Sequence, residues 1–580
     1  MRKGISLIEV ILAIGIVVML FGGIYTAYIG ILDAIQNSEL RNAAAGVLNK
    51  KVEIIRNLPY ASVGVVGGIP SGVLPAQENT TSTMGTAFTV KTVVRNIDDP
   101  FDGVLGGAPN DTSPADYKLV ELEVSCPTCI HFIPLVLTTT ASPKNLEGPT
   151  SGGSLFINVF NAGGQPVQDA TVHITNASVT PAIDLTDTTN ANGVLQLVGV
   201  PTSTQGYRLE ASKQGYSSER TYPIGGAGNP NPVKPDANVA AQTITEISFS
   251  IDTVSTMHIA ARNNVCVPIG GQAVSVKGAK LIGTSPNVLK FSTSSALDAS
   301  GNKTYGNLEW DTYTVSVSTS SYALAGIFPL QPVTLNPASA IDAFFTLASS
   351  SVRSLMVAVK DAAAGSGITG AAVQLSAAGG YSKTLTTGRS VLTHTDWSGG
   401  AYLDQSGMDA ESTSGILTMA GPPYSTSTTA WLVSETFDIG GASSTFYTVS
   451  WSPASTPGGT SMKFQLASNN DNATWNYVGP DGTGGSYYTT SGAQISGGHS
   501  GNRYLRYKVF MSTTDAGATP SLDDIEIEFN GPCVPPAHAF FANMGAGTYT
   551  LTVDAVGYLQ ATSSVVIGGG WQEKSVSLTH

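Results

Sequence analysis

Charge is what this chain has least of. Asp, Glu, Lys and Arg make up 12% of its residues, about half the share usual in a soluble protein. Acids outnumber bases 41 to 28, so the formal net charge is −13. That balance disfavours a polyanionic partner such as DNA as the main ligand, because a polyanion is bound through an excess of Lys and Arg. Histidine is equally sparse, with 7 residues scattered along the chain. Catalytic signatures are missing too: there is no Gly-x-Ser-x-Gly, no His-Glu-x-x-His and no Gly-Lys-Ser/Thr phosphate loop. No enzyme, cofactor or metal is therefore expected, and His394, close to Asp396, is expected only to shape a turn.

Only four cysteines are present. Cys126-Pro-Thr-Cys129 is half a zinc site, and neither Cys266 nor Cys533 has a second ligand at metal spacing. Redox chemistry of the thioredoxin kind would need a βαβ context, which the surrounding pattern does not supply. A local structural disulfide or two idle thiols is the expectation for Cys126 and Cys129. Cys266 and Cys533 each precede Val-Pro and are candidates to pair, but all three connectivities remain open.

What the chain has in abundance is length, glycine and one long apolar run. Its 580 residues include 64 glycines, and that length suggests three to five domains, each able to bury a core. Ser and Thr fill positions where Lys and Glu stand elsewhere, the profile of exported β-sandwich modules. From Val10 to Leu32 there are 23 residues without a charge. At ~1.5 Å per residue such a helix crosses a ~30 Å hydrocarbon core. Arg2 and Lys3 precede it and hold the amino terminus in the cytoplasm. Glu9 stands at the edge of the run, where a carboxylate is costly and so a candidate for function.

The basic leader, Gly4, Glu9 and the apolar run resemble, in this order, a class III signal sequence, the start of type IV pilins and pseudopilins. The resemblance implies cleavage after Gly4 by a prepilin peptidase and methylation of the new amino terminus at Ile5. It also implies that Glu9, fifth in the mature chain, neutralises the amino terminus of a neighbouring subunit as helices stack, since two charges leave water more readily as a pair. Two departures stand out: Ile5 replaces the common Phe, and the usual mid-helix proline is absent, leaving Gly15, Gly22, Gly23 and Gly30 as loosening points. A secretory signal peptide, the plainer reading, would not carry Glu9.

Beyond the span, Leu40, Ala44, Val47, Leu48, Val52, Ile55 and Leu58 recur at three- and four-residue steps until Pro59. They predict an amphipathic continuation of the helix. Alternating runs at 87–94 and 117–124, with 133–137, predict strands, and a helix on a small sheet looks like a minor-pilin head ending near Ser142. After a linker at 141–153, a pattern repeats at a period near 100 residues. It runs Gly164 to Val172, Asn190-Ala-Asn-Gly193, Tyr207 and Tyr216, then Pro268 to Val274, Asp298-Ala-Ser-Gly301, Tyr313 and Tyr322. A third copy starts at Gly367 to Val373 with Asp396-Trp-Ser-Gly399, but its tyrosines, Tyr549 and Tyr558, come more than a hundred residues late.

These motifs resemble the carboxypeptidase regulatory-like, transthyretin-fold modules, which are not catalytic. The delay implies an insert over 425–529, whose strand pattern resembles jelly-roll, galactose-binding-like domains that often read carbohydrate. Trp451, Trp475, Tyr487 and Tyr488 are expected near its loops. On the strand after Arg503, Leu505, Tyr507 and Val509 are expected inside, with Tyr504, Arg506 and Lys508 outside. Trp475, Tyr504, Arg506 and Lys508 are thus candidate surface contacts, against the plainer reading of a solvated strand with snorkelling side chains.

The expected fold is mainly β: a long N-terminal helix, transmembrane then amphipathic, with a small pilin-like α+β head, followed by tandem β-sandwiches. The expected domains are 1–145 for leader, stem and head, 146–252 and 253–349 for the first two sandwiches, 350–424 plus 530–580 for a split third, and 425–529 for the insert. The expected function is a minor type IV pilin-like subunit, tip-located, displaying an adhesive arm. Its partners would be other pilins through the helix, the prepilin peptidase and methylase, the membrane, and a carbohydrate or host-surface ligand. It would lie in the cytoplasmic membrane as a precursor and outside the cell after processing. A pseudopilin of a secretion or DNA-uptake machine, or an anchored structural surface protein, would share much of this pattern.

Overall fold

A computed structural model describes residues 7–82, 85–111, 113–130, 132–143, 151–318, 321–411 and 415–580, excepting the side chains of Glu9, Ala13 and Ser318. The chain is mainly β, with one long helix followed by many sheets. It divides into two units, one of residues 1–254 with 281–288, the other of 255–280 with 289–580.

The first unit opens with a single helix, Leu7–Arg56, that runs through all four candidate loosening glycines. Thr26 folds its hydroxyl back onto the carbonyls of Gly22 and Gly23, at 3.1 and 2.9 Å, and so presents no free polar group. The two halves of the helix differ in what they bury. Met19 and Phe21, 80% and 68% exposed, are typical of an apolar half with no protein around it. Ala44, Val47, Leu48, Val52 and Ile55 are buried against Phe88, Val90, Val94, Val120, Leu122 and Val124. Those partners come from a four-stranded antiparallel meander, Gln77–Thr81, Ala87–Ile97, Tyr117–Ser125 and Leu135–Ala141.

Lys118 locks the end of the stem to this sheet. Its buried ammonium donates to the carbonyls of Tyr60 and Val63 at 2.8 and 2.6 Å and lies 4.5 Å from the Tyr60 ring. The same unit holds the first sandwich. Ile69, from the loop after the stem, is part of that sandwich's core. Arg95 grips the buried Asp187 through two bonds of 2.8 and 2.5 Å, and Asn96 donates to Val198 O at 2.7 Å. The helix-bearing body and the first sandwich are therefore packed together, beyond their covalent connection.

Three sandwiches share one topology. In each, the opening strand pairs parallel with a late strand and antiparallel with the strand after the second turn. Gly153–Phe160 pairs with Ile244–Ser250 and Val194–Val200, and Ser255–Arg262 with Ala340–Ser349 and Asn302–Leu308. In the third, Arg353–Asp361 pairs with Gly570–Leu578 and His538–Phe541. The first tyrosine of each copy, Tyr207, Tyr313 and Tyr549, is buried and donates to an upstream carbonyl, of Pro201, Glu309 and Gly545, at 2.6, 2.7 and 3.0 Å. A buried phenol needs such a partner, which explains why tyrosine and not phenylalanine recurs.

The turn motif has a similar physical cause. Gly193 and Gly301 have φ of 70° and 72°, and their carbonyls accept from Val159 N and Ala261 N at 2.8 Å each. A Cβ there would meet a backbone oxygen at 2.5 and 2.6 Å, so no other residue fits. In the third copy the matching carbonyl belongs to Ala537, also at positive φ, bonded by Val359 N.

That equivalence corrects the expected insert. The third sandwich is interrupted at the turn itself, between Gly388 and Ala537. The strand Ser390–His394, expected in the third sandwich with the rest of 350–424, pairs with Asp524–Asn530 of the insert. Trp397, Met408, Leu417 and Met419 are buried in the insert's core. Asp396-Trp-Ser-Gly399, expected as the third copy's turn, does turn about the Asp396 carboxylate, but inside the insert. The feature shared by the first and third copies is a buried threonine: Thr189 and Thr387 donate to Val167 O and Ile368 O and accept from Ala170 N and Ala371 N.

Candidate functional site

Gly4 and Ile5 lie outside the described residues, as does the side chain of Glu9. The other candidate contacts fall on one sheet of the insert. Its central strand, Tyr504–Thr513, lies between Thr460–Asn469 and Ala430–Ser434. Burial along it alternates strictly, with Leu505, Tyr507, Val509 and Met511 inside and Tyr504, Arg506, Lys508 and Phe510 half-buried on the outer face. The inner face includes a closed hydrogen-bond chain. Trp397 Nε1 donates to Tyr507 Oη at 2.6 Å, Tyr507 donates to His394 Nδ1 at 2.7 Å, and His394 Nε2 donates to the Asp396 carbonyl at 2.9 Å. His394 is thus a neutral core residue. Burial holds its pKa below the usual range and pushes that of Tyr507 far up.

On the outer face the cations lie on aromatic rings. The register sets Lys463 and Trp431 on either side of Phe510, and Gln465 and Val433 on either side of Lys508. Lys508 lies 3.9 Å from the Trp431 ring centre and Lys463 3.6 Å from that of Tyr487, which meets Phe510 edge-on at 5.3 Å. Arg506 lies 3.7 Å over Trp475 and donates to Thr436 Oγ1 at 2.7 Å. Burial raises the Tyr477 pKa, and Arg506 opposes that rise. At the strand's start Arg503 is tied to Asp438 by two bonds of 2.8 Å and lies 5.1 Å from the Tyr504 ring.

Lys463, Arg506 and Lys508 have no ion-pair partner among the described residues. In a chain of net charge −13 this leaves a patch of three cations held by flat rings. Each exposed cation–π pair is worth only ~0.5–1 kcal/mol, so a ligand can take the cation or the ring at little cost. Such a face is suited to an anionic group. Trp451 and Tyr488, expected near loops, are instead in the core, and Trp451 packs on Phe464 at 4.5 Å. Trp431 and Lys463 lie far from Lys508 in sequence and reach this face only through pairing register, whereas Phe510 is on the same strand as Lys508, two residues on and on the same face. Among the described residues no group of His, Cys, Asp or Glu is placed to hold a metal ion.

The disulfides resolve to Cys126–Cys129, in the first unit, and Cys266–Cys533, in the second. The latter joins the second sandwich to the return from the insert, where Thr346 Oγ1 donates to Cys533 O at 2.7 Å and Asn264 Nδ2 donates to Ser390 Oγ at 2.8 Å.

No protein-family model matches the chain, and no curated protein matches it in sequence. Among solved structures, the Bacillus anthracis TIE protein is 12% identical with a TM-score of 0.16, the match taking in 55% of each chain. The shaft pilin SpaA of Lactobacillus rhamnosus GG is 13% identical over 34% of this chain and 98% of its own, with a TM-score of 0.14. GBS52, the minor pilin of Streptococcus agalactiae, is 11% identical over 34% and 95%, with a TM-score of 0.17. At these scores the likenesses are local and transfer no role.

Proposed function

We propose that this chain is a minor subunit of a type IV pilus-like filament, carrying a multi-sandwich adhesive arm near the filament tip. The observation that carries this reading is the division of the helix Leu7–Arg56 into an apolar exposed half and a half packed on its own sheet. The exposed half needs lipid first and other helices later, and the packed half holds the head on the stem. The leader Arg2-Lys3-Gly4 and Glu9 add the processing site and the charge that would pair with a neighbour's amino terminus. Prepilin peptidase would cleave after Gly4, the methylase would act on Ile5, and the mature subunit would leave the membrane for the filament.

The arm is large, and the face of Trp475, Arg506, Lys508 and Lys463 gives it a surface to bind with. One such arm on every subunit would crowd a filament, which favours low copy number and a tip position. The test combines Lys463→Ala, Arg506→Ala and Lys508→Ala in one chain. Cells carrying it should assemble filaments containing the subunit yet lose attachment to an acidic polysaccharide surface. Full attachment would contradict the adhesive role, and Glu9→Ala should separately prevent incorporation into filaments.

A further inference from the structure

The second unit contains a cavity of about 460 Å³ between its second and third sandwiches. Small-ligand sites span roughly 300–1,000 Å³ and favour such junctions. One wall is apolar, where Val315, Ile327 and Leu347 reach it from the second sandwich's core. The other is the outer face of the sheet formed by His538–Phe541, Arg353–Asp361 and Gly570–Leu578.

Strand register explains the hollow. Ala358 stands at the middle of this face, opposite His538 on one side and Ser575 on the other. One step back along the face is Glu573, opposite Met356, and one step forward is Lys360. Alanine reaches only one methyl above the sheet, so the four longer side chains ring a depression. From strand spacings of ~4.8 Å and ~3.3 Å per residue, Lys360 and Glu573 are about 14 Å apart at Cα, too far to neutralise each other. Neither has an ion-pair partner among the described residues.

His538 adds an independent sign. It is 3% exposed, and its Nδ1 donates to the Pro536 carbonyl at 2.8 Å, which leaves Nε2 as an acceptor. That Nε2 is buried without a hydrogen-bond partner, in a residue that lines the cavity. Buried polar atoms are nearly always paired, so one left unpaired in a residue of the cavity wall marks a place for a donor. At the rim, Trp571 donates its Nε1 to Leu324 O at 2.7 Å, which fixes the indole while leaving it 40% exposed.

We propose that this cavity binds an uncharged, polyhydroxylated ligand of mono- to disaccharide size. A hydroxyl can donate to His538 Nε2 or to the Glu573 carboxylate and can accept from Lys360, and a polyol carries several such groups on one small frame. Opposite charges at the two ends of the hollow disfavour a ligand of either sign. The fixed indole of Trp571 offers a flat platform to the C–H face of a sugar ring. This site is separate from the cationic face of the insert, and it depends neither on leader cleavage nor on filament assembly.

The test is calorimetric titration of the detergent-solubilised full chain with glucose, galactose, mannose, N-acetylglucosamine and maltose. At least one should bind with a Kd near or below ~1 mM, a modest free energy of about −4 kcal/mol. Ala358→Leu, which fills the hollow, should weaken it at least tenfold, as should Glu573→Ala, an accessible position whose loss leaves the core intact. Thermal unfolding of the Glu573→Ala chain should be unchanged. Failure of all five sugars to bind, or undiminished binding by the Glu573→Ala chain, would overturn the proposal. The attachment of cells through the insert's cationic face would be unaffected by either result.

Discussion

Lys118 shows how much a single side chain decides in this chain of few charges. It is buried without a carboxylate, and its ammonium satisfies two carbonyls at the end of the stem. Burial lowers its pKa from 10.5 to about 8. The unfolded chain therefore holds this proton more tightly than the folded one between pH 8 and 10.5, and the group's contribution to stability rises with pH across that window. Tyr207 in the first sandwich behaves oppositely. Its phenol is pushed up from 10.0 to about 12, so the stability it lends is lost as pH climbs from 10 to 12. Hydrogen exchange at Val120 and Leu122 should slow from pH 8 to 10 relative to the intrinsic rate. A Lys118→Ala chain should lose that dependence and about 2 kcal/mol of local stability, because two carbonyls are left unpaired. Unchanged protection would show that the clamp is idle.

At the level of elements, the junction of Arg95 with Asp187 joins the stem's sheet to the first sandwich. Asp187 is 6% exposed in its side chain and Arg95 32%. Breaking a buried pair from one side leaves the other charge stranded, so Arg95→Met should cost about 2 kcal/mol, moderated by the water Arg95 still meets. Adding Asp187→Leu should recover most of that loss, and a double variant as unstable as the single one would contradict the pairing. Neither partner's role was visible in the sequence, since 92 positions separate them. The stem stripe from Leu40 to Leu58 was legible because helical period is local, and so was the alternation from Tyr504 to Val509. The start of the insert was not. Asp396-Trp-Ser-Gly399 has the composition of the repeat's turn, and only the pairing of Ser390–His394 with Asp524–Asn530 shows that it belongs elsewhere. The position where an insert enters a repeat leaves a gap in spacing, which sequence reveals, but the exact turn is set by long-range hydrogen bonds, which it does not.

For the molecule as a whole, Cys266–Cys533 closes a loop of sequence separation 267 around the insert, connecting the second sandwich to the third. Such a cross-link limits the unfolded chain more than the folded one, typically by about 2–4 kcal/mol. The Cys266→Ser, Cys533→Ser chain should unfold at lower denaturant than the oxidised parent, and reductant should shift the parent to match it. No shift would mean that packing between the sandwiches already supplies the restraint.

At the other end of the chain, the exposed apolar helix that follows Arg2-Lys3-Gly4 is proposed to be the stem of a filament subunit. Intact mass of the amino-terminal peptide, from cells with and without prepilin peptidase activity, tests it most directly. With the peptidase, the mature chain should begin at Ile5 and be heavier by one methyl group; without it, the peptide should retain Met1. A chain that keeps Met1 in both, or is cut beyond Leu32, would contradict the filament reading and leave an anchored or secreted array of sandwiches.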